Sequence, residues 1–127
     1  MTDRRTGRSC SELPSILGLY VQVTTTTDSR EEAEKLSRLV VDHRLAACAQ
    51  VGGPITSTYR WQGKIETAEE WVVFMKTTAG RADQLITRVR AEHSYDTPEI
   101  IATPIVAGNP GYLDWMSAET AGIAAHE

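Results

Sequence analysis

The residues that most often announce a function are scarce in this 127-residue sequence. Cys10 and Cys48 are its two cysteines, with no Cys-x-x-Cys spacing, and none of the three histidines has a partner four residues away. No local zinc or copper loop is therefore encoded, and a metal site would have to be assembled by the fold. Two cysteines so far apart do not make a disulfide framework, which points to a reducing cytoplasm. There is no Gly-x-Ser-x-Gly elbow, and Val51-Gly52-Gly53-Pro54 lacks the Lys and following helix of a phosphate loop. No apolar run is long enough to span a bilayer, so no membrane partner is expected. Basic residues number 13 against 17 acidic ones, and the net charge of −4 removes the electrostatic basis for binding nucleic acid.

What is present is ordinary in amount and informative in arrangement. Hydrophobic residues make up 41% and charged residues 24%, as in a soluble domain with a real core. The opening Met1–Ser9 is basic and polar without the apolar stretch of a secretory signal. Residues 1–16 are read as a disordered extension, 17–120 as one domain and 121–127 as a tail.

Six regular elements follow from the patterning. Leu19–Thr24 alternates and is β-branched, as a strand requires. Ser29 and Glu32 have capping-box spacing, and Ala33, Leu36, Leu39, Val40 and Val41 form a helical stripe ending near His43. Ala46–Val51 is a second, compact apolar strand, broken by Gly52-Gly53-Pro54. Tyr59-Arg60-Trp61-Gln62-Gly63-Lys64-Ile65 alternates around Gln62-Gly63, the sign of a hairpin whose glycine supplies positive φ. A second helix runs from about Gly80 to His93 on Ala82, Leu85, Ile86 and Val89. Glu99–Val106 is a last strand that Pro104 confines to an edge or a bulge, and Tyr112–Met116 begins a short C-terminal helix or arm. The order βαββαβ is that of a ferredoxin-like α+β sandwich with an antiparallel sheet. Two helices cover one face. Trp71, Val73 and Met75 alternate with Val72 and Phe74, so both faces of one strand are apolar. The uncovered face predicts an oligomer.

The chain resembles the CutA divalent-cation tolerance proteins. The resemblance rests on Arg44-Leu45-Ala46-Ala47-Cys48, on Tyr59 to Ile65, and on Glu69 with Lys76-Thr77. It continues through His93-Ser94-Tyr95-Asp96-Thr97-Pro98-Glu99-Ile100 and Gly108-Asn109-Pro110-Gly111-Tyr112-Leu113-Asp114-Trp115. It implies a fold similar to the PII signalling proteins, a homotrimer, and a role in tolerance of copper and other divalent metals without enzymatic activity. One departure is Gln50, where the family usually has Asn.

For a metal, the candidate ligands are Cys48, His93 and Glu69, with Glu99 as a further carboxylate. Copper suits thiolate and imidazole better than magnesium or calcium does, so Cu(II) or another divalent cation is the expected ligand, with no obligatory cofactor. Each candidate also has a purely structural reading. Cys48 among alanines reads as a small buried hydrophobe, and His93 as a helix-end residue favoured by the dipole. A catalytic thiol needs an electropositive, partly open setting, which the alanines do not supply, so no enzyme is expected. Tyr59, Trp61, Trp71, Tyr95, Tyr112 and Trp115 read as a subunit interface or as a ligand pocket between subunits. A PII-like small-molecule module without a metal function is the alternative reading.

Overall fold

The computed structural model describes residues 18–122. The expectation for residues 1–16 lies outside the described residues, as does most of the 121–127 tail. The elements run β1 (Tyr20–Thr27), α1 (Arg30–Asp42), β2 (Cys48–Trp61), β3 (Lys64–Thr78), α2 (Ala79–Glu92), β4 (Ile100–Pro104) and α3 (Pro110–Thr120). The four strands form one antiparallel sheet in the order β2-β3-β1-β4. That is the ferredoxin-like arrangement the patterning implied. Pro104 ends an edge strand, where a missing amide donor is tolerated.

Strand parity decides what each face does. Val23 of β1 and Val73 and Met75 of β3 point to one side and are fully buried. There they meet Ala33 and Val40 of α1, Leu85 and Val89 of α2, and the connecting Leu45 and Ala46. Leu36 is buried too, whereas Val41 stays 40% exposed, because one residue of helix turns it about 100° past Val40. The stripe expected through Val41 is thus narrower than it looked. On α2 the first turn holds a buried Arg81, which the apolar stripe did not reveal. Its Nε donates to the Thr120 carbonyl and its Nη1 to Gln84.

Tyr20 has the parity of the opposite face, and α3 packs there. Leu113 and Met116 close on Tyr20 and Ala47, and the Tyr20 hydroxyl lies 2.9 Å from Ser117 Oγ. Arg44 binds the carbonyl and the carboxylate of Glu119, so two arginines hold the last turn of α3. The C-terminal arm is therefore a full helix of 11 residues.

The sequence reading of β2 needs correction. The strand begins at Cys48, not Ala46, and Gly52-Gly53-Pro54 does not end it. The pairing instead slips between Gly52 and Ile55, and the strand continues to Trp61. Such a bulge carries the extra residues without breaking the hairpin. Only glycine suits position 53. Its φ is +136°, and a Cβ there would sit 2.9 Å from Trp71 Cδ1 and 3.0 Å from the Glu70 carbonyl. The turn at Gln62 and Gly63 has φ of 51° and 80°, the two positive values of a twist-matched two-residue hairpin.

Gly53→Ala should therefore lose more than about 1 kcal/mol. Gly80→Ala, in the first turn of α2 with open space around the new methyl, should gain less than about 1 kcal/mol. Urea midpoints of the two variants check the opposite signs.

Candidate functional site

β1 pairs with β3 only from Trp71 to Thr78. From Lys64 to Glu70, β3 has β2 on one side and no strand on the other among the described residues. The segment after α2 turns into this corner. His93 is the C-cap of α2, and its extended backbone, ψ 144°, turns the chain away from the helix.

Three side chains lace the corner together. The Ser29 hydroxyl caps α1 by accepting from Glu32 N, as the capping-box spacing implied. The return bond is not made. The Glu32 carboxylate instead accepts from Ser94 N at 3.0 Å and Ser94 Oγ at 2.9 Å, tying α1 to the segment after α2. The His93 ring is fully buried. Its Nδ1 accepts from Tyr95 N at 3.1 Å, which places the ring proton on Nε2, 2.8 Å from the Thr26 carbonyl. The Tyr95 hydroxyl donates to Glu70 Oε2 at 2.8 Å. Burial first, then this hydrogen bond and the charges of Glu70, Asp28 and Glu32, hold the Tyr95 phenol well above its ordinary value of 10.0.

The candidate metal ligands stand apart within one chain. Cys48 faces Lys76 across the β2–β3 pair, whereas Thr26, which His93 grips, faces Val72. Four residues of strand separate those rows, about 13 Å. Glu69 is exposed and has the opposite parity to Glu70. No group of three or more His, Cys, Asp and Glu side chains converges on a metal-sized space among the described residues. Both ring nitrogens of His93 already have partners, so coordination would require one of them to be released.

Cys48 itself is half-buried, where the alanine-rich context suggested full burial. Ala46 and Ala47 take the buried positions. The thiol has polar company instead. The Tyr112 phenol is raised by desolvation first and then by the neighbouring Cys48 thiol. Lys76 Nζ donates to Gln50 Oε1, so the longer amide at position 50 reaches the strand opposite. The Tyr112 and Trp115 rings pack 5.3 Å apart on α3.

Residues 21–119 match the sequence profile of the CutA1 divalent ion tolerance proteins. The chain belongs to the CutA1 divalent ion tolerance protein family. The CutA protein of Thermus thermophilus is 42% identical over 98 residues, covering 77% of this chain and 95% of that one. The chloroplastic CutA protein of Arabidopsis thaliana is 37% identical over 91% of this chain, and the match spans 61% of the plant protein. Among solved structures, CutA from Xylella fastidiosa aligns with a TM-score of 0.78 at 42% identity, covering 80% of this chain and 97% of that one. CutA1 from Oryza sativa aligns with a TM-score of 0.79 at 35% identity, covering 84% and 97%. The CutA1 motif His93 to Ile100 coincides with the laced corner, and the motif Arg44 to Cys48 with the left-handed turn at Arg44, φ 58°.

Sequence reasoning chose Glu69 and passed over Glu70. The two carboxylates differ by one residue and so face opposite sides of β3, and only pairing register shows which one meets Tyr95. Glu32 was missed because its capping-box spacing assigned its carboxylate to Ser29.

A tyrosine held protonated in the fold stabilises it below pH 10.0 and loses that contribution as pH rises further, because the unfolded phenol ionises first. Tyr95→Phe should therefore flatten the alkaline loss of stability, which melting temperatures between pH 9 and 11 report.

Proposed function

We propose that this chain is a cytoplasmic divalent-cation tolerance protein that works as a homotrimer, binds copper or another divalent metal weakly, and turns over no substrate. The match to the CutA1 family across residues 21–119 is the observation that carries this reading. Relatives at 42% and 36% identity, from Thermus thermophilus and Salmonella newport, bear the name divalent-cation tolerance protein CutA. Named compartments differ among relatives. The plant proteins are called chloroplastic, and a solved structure from Archaeoglobus fulgidus is titled periplasmic. The cytoplasmic reading here rests on the sparse cysteines.

Association is supported by the single chain's own surface. Ile55, Tyr59, Trp61, Ile65, Tyr112 and Trp115 are all at least 40% exposed. Each such side chain covered by a neighbour contributes roughly 1.5–3 kcal/mol. Three copies arranged around the open sheet faces, with the hairpin tips and α3 reaching across, would bury them.

The metal ligands proposed are Cys48, Glu69 and His93, drawn from separate places and completed between chains. Cys48 and Glu69 are the accessible members. His93 joins only when Tyr95 N or the Thr26 carbonyl is released, which keeps affinity low. Protons compete for thiolate and imidazole, so binding should weaken in acid.

Light scattering at micromolar concentration should give three times the 14.0 kDa chain mass. A monomer mass would end the trimer reading. In a copper titration of the same sample, Cys48→Ala should weaken binding by about tenfold. His93→Ala and Glu69→Gln should weaken it less. Wild-type binding in all three variants would remove them as ligands.

A further inference from the structure

A groove of 400 Å³ runs along α2 beside the C-terminal end of α1. Its polar lining is His43, Arg81, Asp83, Gln84, Thr87 and Arg88. It lies on the helix layer, and none of the side chains assigned above to contacts between copies lines it. Arg81 is its unusual member, only 9% exposed. A guanidinium keeps its charge, and a buried charge is ordinarily paired with an opposite one. Here both described partners are neutral. Nε donates to the Thr120 carbonyl at 2.9 Å and Nη1 to Gln84 Oε1 at 2.7 Å. Among the described residues no carboxylate lies within ion-pair distance of Arg81, and Nη2 has no hydrogen-bond partner. Asp83 does not supply the missing charge, because residues two apart on a helix do not face each other. The first turn of α2 holds no acidic side chain, so the positive end of the helix dipole adds to the charge of Arg81.

We propose that this groove binds the phosphate group of a small phosphomonoester through Arg81 and Arg88. The planar fork of a guanidinium matches phosphate oxygens with parallel N–H bonds. Arg81 is preorganised for this, since its bonds to Thr120 and Gln84 fix the side chain and leave Nη2 over. The same bond turns Gln84 Oε1 toward Arg81, so the amide N–H groups of Gln84 remain as donors. Arg88 lies seven residues on, close to two full turns, and so on the same side of α2. Its pair with Glu92 is solvated, with side chains 36% and 40% exposed, and such pairs are weak enough to exchange for a ligand. A monocarboxylate is the poorer fit, because its single charge and two oxygens satisfy one guanidinium and not two. The groove has room for more than a bare phosphate ion, and its volume falls in the range of small-molecule pockets. The site goes beyond the metal-tolerance reading and shares no residue with Cys48, Glu69 or His93.

The test is calorimetric titration of the full chain with glycerol phosphate, in a phosphate-free buffer with EDTA and at fixed ionic strength. We expect saturable binding with Kd below about 1 mM, weaker binding of inorganic phosphate in competition with the ester, and none for acetate. Arg81→Lys keeps the charge and loses the fork, and should weaken binding by about tenfold. Arg81 also holds the end of α3, so Arg88→Gln and Asp83→Asn carry the test where Arg81→Lys does not fold. Both change the groove without touching the Thr120 bond. Arg88→Gln should weaken binding several-fold, and Asp83→Asn, which removes the one carboxylate in the lining, should strengthen it several-fold. A purely structural Arg81 would produce neither change. No saturation up to about 10 mM of the ester overturns the proposal, as do wild-type affinities in both Arg88→Gln and Asp83→Asn. Acetate binding as tightly as the ester overturns it too, since the groove would then not select phosphate.

Discussion

The register of β1 against β3 is the constraint on which the rest of the structure depends. It runs from Tyr20 opposite Thr78 to Thr27 opposite Trp71, eight residues of a strand almost twice that long. Within that span β3 has neighbours on both sides and turns Val73 and Met75 into the core. Beyond it, among the described residues, β3 has only β2. A one-residue slip would carry Val73 and Met75 to the open face and Phe74 to the helices, so the buried pair fixes where the hairpin leaves the sheet. The corner and the exposed tip both follow from that point of departure.

The segment 93–95 answers the problem created there. Where β1 ends, the chain after α2 has to satisfy its backbone without a strand to pair with. Glu32 satisfies Ser94 N, His93 satisfies Tyr95 N, and the Thr26 carbonyl accepts from His93. A hydrogen bond of this kind contributes about 1 kcal/mol, and leaving its buried partner unmade costs more. The histidine at this corner is therefore committed to holding the chain, and the groups left facing solvent are carboxylates and aromatic rings.

The parts of the fold that were legible in the sequence are those where side-chain period and burial agree. The alternation of Trp71 to Met75 named its two faces correctly, and Ala33, Leu36, Leu85 and Val89 fell inward as their spacing required. Ser29 capped α1, and Gln62-Gly63 made the hairpin turn. What the period could not show was continuity through Gly52-Gly53-Pro54. Those residues read as a break, but the bulge lets a strand pass through them, and the evidence for it lies in the Trp71 ring that occupies the missing Cβ of Gly53. Arg81 was illegible for a similar reason. Its partner is the Thr120 carbonyl, 39 residues away, and no local pattern records a contact of that range.

The candidate site shows the same limit at finer scale. His93 was legible as a helix end, yet its local signals are the same for a free imidazole and for one with both nitrogens bonded. Only the path of β1 beside it decides the matter. Glu69 and Glu70 are likewise indistinguishable as letters, and a half-turn of strand separates a solvated carboxylate from one fixed by Tyr95. Chemistry in this fold is thus assigned by which groups the backbone has not already used. In the described corner the imidazole is used, one oxygen of Glu70 is used, and the rings of Tyr59 and Trp61 with the remaining acidic oxygens are not.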